Sequence, residues 1–368
     1  MTREPGVRLR YYTFVLLFGI LFLYVLIVAR EFLYPIFMSI LFAYLLYPVE
    51  KWLEERGLPR ILANFITVIA AMAIFIGALV LLYRQLIGFL GDFPSLQEEA
   101  MKNLDRLQQS IDRRFGESDP DDEHWLQTQV SSGLELSGNF LREILMATTG
   151  TIAKFGLMPV YIFLALYYRN KFENFIYRQL PPVKHGKARQ VIDQISHVTK
   201  HYMAGVVSVI LILCVLNTAG LYLIGVEYAL LLGIISAFIN FIPYFGTLIG
   251  GAVPLLYTLL VQGDPNKALM VVLFFLVIQF TENNILTPNI TGSKVNINPM
   301  FTILSIIVGG MIWGLPGMFL AVPYLGMFKV YCDYTPRLEA WSYMLGTEGT
   351  EEHALTFDKI KRVFNMRS

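Results

Sequence analysis

Charge is scarce in this chain. Lys, Arg, Asp and Glu make up 15% of its 368 residues, against about 25% in ordinary soluble domains, so a core wrapped in a water-facing shell does not account for it. An excess of either sign is also missing. The net charge is +1 and no basic block interleaved with aromatics occurs, which removes the electrostatic signature of a nucleic-acid binder. Cysteine is limited to Cys214 and Cys332, each within or at the end of an apolar run, so two inert thiols are expected and not a disulfide framework. Walker A, Rossmann and GxSxG sequences are absent; ATP-driven transport, dinucleotide chemistry and serine hydrolysis have no motif behind them. His197 and His201 stand at i,i+4 spacing, as a zinc pair would, but no Glu completes an HExxH pattern. Their Lys-rich surroundings favour a solvated face, and no cofactor is expected.

Apolar residues dominate instead, at 55%, with a mean hydropathy of +0.54. Full apolar spans fall near residues 11–29, 32–49, 61–83, 145–168, 202–224 and 268–286. The first follows Arg3, Arg8 and Arg10 like a secretory signal, yet Val28-Ala29-Arg30-Glu31 leads straight into a second span, so it is expected to remain as an uncleaved helix. The last third holds a different pattern, twice. After the span 202–224 come Tyr228–Phe241, a bend through Pro243 to Gly246, and Thr247–Leu260; after the span 268–281 come Pro299–Trp313, the bend Gly314-Leu315-Pro316-Gly317, and Met318–Val330. Segments of this size cover only about 20–23 Å as helix, against a hydrocarbon core of about 30 Å. They are expected to enter the membrane and turn back, with the bends lining a cavity because lipid cannot satisfy open backbone. The expected fold is an all-α polytopic membrane protein of about six full spans plus two inverted re-entrant helical hairpins. Broken segments in matching positions of two repeats point to a transporter's substrate site, and the triplets Ala252-Val253-Pro254 and Ala321-Val322-Pro323 mark the repeat.

Orientation follows from loop Lys and Arg. Segments 1–10 and 50–60 carry three each and 169–201 carries seven against two acids, whereas 84–143 carries six against twelve acids. Both termini and 169–201 are therefore expected in the cytoplasm, and 84–143 outside. Met101, Leu104, Leu107, Ile111 and Phe115 recur at helical spacing, as do Leu126, Val130, Leu134, Leu141 and Ile144, so the outer segment is expected to be helical and to bury its stripe on a neighbouring protomer or the membrane surface. Val191, Ile192, Ile195 and Val198 with Lys184, Lys187, Arg189 and Lys200 suggest an interfacial helix held by anionic lipid. The expected organisation is an N-terminal scaffold at 1–90, an outer amphipathic segment at 91–143, a fourth span with the inner helix at 144–201, a transport core at 202–331, and a cytoplasmic tail at 332–368.

These residues carry a resemblance. Asn240-Phe241-Ile242-Pro243-Tyr244-Phe245-Gly246, the run Thr281 to Pro288 with Gly292, Asn298-Pro299, Gly309-Gly310, Gly314-Leu315-Pro316-Gly317 and Ala321-Val322-Pro323 together resemble the AI-2E (autoinducer-2 exporter) family of bacterial permeases over nearly the whole chain. The resemblance implies a secondary transporter of the bacterial inner membrane and a homo-oligomer, with a pentamer as the implied number. It also implies either export of the signal autoinducer-2 or Na⁺/H⁺ antiport, so it does not fix the substrate.

Site candidates follow from the cost of polar groups in lipid. Glu282 is the only acid in the embedded part of the second repeat, where a carboxylate costs about 2.5–3.5 kcal/mol. With Gln279, Asn283 and Asn284 it supplies oxygens that suit a small polar solute, H⁺ or a hard cation such as Na⁺; the competing reading is a solvated helix end paired with Lys294. Asn240 and Thr247 flank the first bend, as helix caps or as ligands. Pro243, Gly246, Gly314, Pro316 and Gly317 form the bends, and the glycines also permit close helix packing. A coupled transporter of a small polar solute is the favoured function. A Na⁺/H⁺ antiporter, a passive pore and an oligomeric structural protein stay open, and an enzyme is least expected, because Glu282 has no second intramembrane acid or nucleophile beside it.

Overall fold

The computed structural model describes residues 5–115, 128–133, 138–139, 156–240, 246–291 and 297–348. Among them there is no strand. The principal helices are α1 (Pro5–Val28), α2 (Arg30–Glu55), α3 (Arg60–Phe115), α4 (Met158–Tyr167), α5 (Arg169–Arg178), α6 (His185–Ile224), α7 (Ala229–Ile239), α8 (Gly246–Leu256), α9 (Pro265–Thr281), α10 (Pro299–Trp313), α11 (Leu315–Asp333) and α12 (Glu339–Leu345). Five helical stretches are long and apolar enough to cross a membrane: Arg30–Glu55, Arg60–Arg106, Pro182–Ile224, Pro265–Ile290 and Leu315–Asp333. Large apolar side chains lie bare along them and along α1, among them Phe14, Phe18, Leu223 and Phe280. Water would not tolerate such surfaces, and lipid does. The fourth span is described only from residue 156 onward, and the stripe from Leu134 to Ile144 lies outside the described residues.

One compact unit comprises Met1–Asn174 with Lys200–Gly292. Within it α2, α3 and α4 form a scaffold around Ala43, Val68, Ile162 and Leu166. Buried Ser39 donates to the Pro35 carbonyl at 2.6 Å and the Met158 carbonyl at 3.2 Å, tying α2 to the start of α4. A second cluster joins Leu86, Phe89, Phe93, Leu96 and Ala100 of α3 to Leu221, Ala229, Tyr257 and Val271. Leu104 of the outer stripe is buried as well, and Asn103 beside it donates to the Leu260 and Val261 carbonyls at 3.0 and 2.8 Å, so the start of that stripe packs on the chain itself. Its distal side chains at Leu107 and Ile111 lie outside the described residues. The other unit comprises Phe175–Thr199 with Ser293–Ser368, in which α10 and α11 pack along their lengths. At the foot of that pair α12 is held by the Asn298 N–H on the Leu345 carbonyl at 2.8 Å and by Ser342, which donates to Asp333.

Three elements run further than their sequence suggests. The third span and the segment after it are one 56-residue helix, α3, with Pro94 inside it. The inner interfacial helix and the fifth span are one 40-residue helix, α6. The second arm of the second hairpin is a 19-residue helix, α11, not a short half-segment: it continues through Pro323 and through Lys329 and Asp333, which pair at 2.9 Å.

Candidate transport site

The first hairpin consists of α7 and α8, 11 residues each, and its arms meet through small residues. Ser236 Oγ donates to the Gly250 carbonyl at 2.5 Å, and a Cβ on Gly250 would lie 2.8 Å from the Ser236 carbonyl oxygen. Gly251 lies against Phe275 of α9, and Gly233 against Thr218 of α6. Ser236, Gly250, Gly251 and Phe275 thus form one layer across three helices. One turn further along the same helices stand Asn240, which ends α7 with its N–H on the Ser236 carbonyl at 3.2 Å, the opening residues Gly246 and Thr247 of α8, and Gln279 of α9. Register brings these candidates to one level, beside the bend at 241–245. That bend, with Pro243, lies outside the described residues, as do the side chain of Thr247 and all of Lys294.

Below α9 the chain does not stop at a helix end. It continues as ten residues of wider, π-type helix, Glu282–Thr291, with Pro288 inside it. Such i→i+5 turns are rare and concentrate at functional sites, and Pro288 contributes no N–H to the ladder. Ile278, Leu286 and Ile290 on this stretch pack with Val209 and Leu213 of α6 and Ala237 of α7. Glu282, between Ile278 and Leu286, shares their face and is half-buried, as is Gln279. Asn283 and Asn284 are exposed, and the Asn284 amide folds back onto the Phe280 carbonyl at 2.9 Å. On this stretch, then, Gln279 and Glu282 are half-buried, whereas Asn283 and Asn284 are exposed.

The second hairpin bends at a single residue. Gly314 has φ +64° and ψ −141°, a conformation that favours glycine, and it both ends α10 and precedes α11. Pro316 and Gly317 already belong to the first turn of α11, where a proline's missing N–H costs nothing. The arms then touch backbone to backbone: a Cβ on Gly317 would lie 1.9 Å from the Gly309 carbonyl oxygen. The two hairpins share one further register. Pro254 is the ninth residue of α8 and Pro323 the ninth of α11, so the Ala-Val-Pro triplets occupy equivalent helical positions.

A polar assembly in the scaffold is not evident in the sequence. Glu50 is fully buried and accepts from Arg169, whose other nitrogen reaches Glu54 at 2.6 Å, and Arg60 joins Glu54 at 3.0 Å. Asn64, with its amide turned toward Glu50, donates to Oε1 at 2.9 Å and accepts the Tyr167 N–H at 3.2 Å. Glu50 and Glu54 at i,i+4 on one apolar helix were the available signal; the partner, Arg169, lies 119 residues away. Beyond the other end of the scaffold, Tyr228 is the one non-glycine residue with positive φ among the described residues, at 52°. Its ring stands edge-on to Phe89 at 5.1 Å and its hydroxyl donates to Asp92. Loss of water around the hydroxyl, then the hydrogen bond to the carboxylate, push Tyr228 up to about 12.

Long helices with bare apolar sides and two helical hairpins define a multi-pass α-helical membrane protein. Sequence comparison carries this to a family. The AI-2E family transporter profile matches residues 16–337, and the chain belongs to that family. YrrI of Bacillus subtilis is 27% identical over 316 residues, 83% of this chain and 86% of that protein. YhhT of Escherichia coli is 24% identical over 327 residues, 86% and 89% of the two chains. The AI-2 transport protein TqsA of Escherichia coli is 26% identical over 315 residues, 83% and 87%. The chain is thus a membrane transporter by family.

Proposed function

We propose that this transporter is a secondary one, moving a small polar solute across the bacterial cytoplasmic membrane with H⁺ or Na⁺ as the coupling ion. Asn240, Thr247 and Gln279 contact the solute, and Glu282 carries the ion. The observation that supports this most is the register that sets the tip of α7–α8 against Gln279, with half-buried Glu282 most of a turn further along a helix whose back is apolar and bare. An amide, a hydroxyl and a carboxylate suit a hydroxylated solute, and a relative is named as an AI-2 transport protein. In this reading the cytoplasmic side holds both termini and 169–201, the first hairpin is re-entrant, and the chain works as a homo-oligomer. Flux into proteoliposomes tests it. Glu282→Gln keeps size and hydrogen bonding but loses the titratable charge, so the protein should fold and still bind solute while the pH or Na⁺ dependence of flux disappears. Asn240→Ala should instead lower flux at every pH. Glu282→Gln with unaltered ion dependence would rule out the coupling role and leave uncoupled passage.

A further inference from the structure

At the foot of the scaffold α3 begins near the point where α4 gives way to α5. Pro59 precedes α3 and its carbonyl accepts the Ala63 N–H at 2.9 Å, so the amides of the first turn, at Arg60, Ile61 and Leu62, have no helical carbonyl to bond and present partial positive charge. Opposite them, α4 ends at Tyr167 and α5 begins at Arg169. Between the two lies an open cavity of about 500 Å³ walled by Arg60, Ile61, Tyr167, Tyr168, Asn170 and Lys171.

Its charges are unequal. Arg60 is matched by Glu54 at 3.0 Å and reaches the Asn170 side-chain oxygen at 3.4 Å, which leaves the Asn170 amide nitrogen to donate. Lys171 lies 5.4 Å above the Tyr168 ring and forms no ion pair among the described residues. A cavity with an unmatched ammonium, an amide donor and a helix start selects an anion. The same two helices carry bare apolar residues away from the cavity: Leu62 and Phe65 on α3, Val160 and Leu164 on α4. A soluble anion would use only the polar end of this arrangement. A phospholipid would use both.

We propose that this cavity binds the phosphate of an anionic phospholipid, with its acyl chains along α3 and α4. A zwitterionic headgroup presents the same phosphate but adds an ammonium that would face Lys171, so the site discriminates by headgroup charge. The site is separate from the transport reading and stands whatever the solute. The test is native mass spectrometry of the full-length purified chain with dioctanoyl-phosphatidylglycerol and dioctanoyl-phosphatidylcholine. Phosphatidylglycerol adducts should exceed phosphatidylcholine adducts about fivefold, the worth of one basic side chain at a membrane surface. Lys171→Gln should abolish the preference and Lys171→Arg should retain it; Lys171 is exposed, so neither change threatens folding. Equal adducts for both lipids, or an unchanged preference in Lys171→Gln, overturns the proposal. Displacement of phosphatidylglycerol by excess inorganic phosphate would assign the cavity to a soluble anion instead and overturn the lipid assignment.

Discussion

Arg169 is the side chain whose loss should be felt most at the level of single residues, because it is the cation facing buried Glu50. A buried carboxylate left without its cation costs about 3–5 kcal/mol, whereas replacing both partners with apolar groups is often near neutral. Arg169→Leu should therefore lower the unfolding midpoint in detergent sharply, and the double change Glu50→Leu, Arg169→Leu should recover part of the loss, measured by thermal melts. A double variant no better than the single would mean that Arg169 acts mainly through Glu54. Tyr228 makes a smaller case with a clear pH signature. Its hydroxyl titrates near 12 when folded and near 10 when unfolded, so the proton-bound form is favoured by folding. That contribution is complete below pH 10 and disappears only as pH climbs through the folded value. Tyr228→Phe should cost about 1 kcal/mol, and the gap in melting temperature between it and the parent should be the same at pH 6 and pH 9. A gap that varied across this range would mean another group controls the contact with Asp92.

Among the elements, the second hairpin gives the sharpest expectation. Gly317→Ala would place a methyl group 1.9 Å from the Gly309 carbonyl oxygen, which no rotamer avoids, so the arms must part at a cost of about 1–3 kcal/mol or more. Gly88→Ala in α3 meets nothing within 4 Å and should raise stability by up to about 1 kcal/mol through helix propensity. Opposite shifts in the two melts would establish contact, not composition, as the cause. The bend itself was legible because Gly314-Leu315-Pro316-Gly317 places a residue free to take positive φ just before a proline suited to a first turn. The length of α11 was not, because Lys329 and Asp333 resemble a polar boundary until their i,i+4 pairing is seen. In α3, Gly91-Asp92-Phe93-Pro94 resembles a break, yet packing of Leu86, Phe89, Phe93 and Leu96 on α6–α9 keeps the helix whole. At the candidate site, Glu282 stood out as a lone acid in an apolar context. That Asn283 and Asn284 are exposed was hidden by the π-type turns, whose wider period no pattern of 3.6 residues reveals.

For the whole molecule, the alternating spans make a topology that labelling can check. In a variant with Cys214 and Cys332 changed to Ser, a cysteine at Lys102, exposed on α3, should react with an impermeant maleimide in intact cells. One at Gly186, on α6, should react only after permeabilisation. Reaction of both from the same side would remove the inverted arrangement on which the transport reading depends. The continuity of α3 has a spatial consequence as well. Fifty-six residues at about 1.5 Å each give a rod of about 84 Å, while the hydrocarbon layer accounts for about 30 Å, or about 39 Å at a steep tilt of 40°. Some 45 Å of rod, a height of about 34 Å at that tilt, then stands beyond the hydrocarbon layer on one face. A layer of wall or a second membrane on that face must keep at least that clearance, or yield where the protein sits.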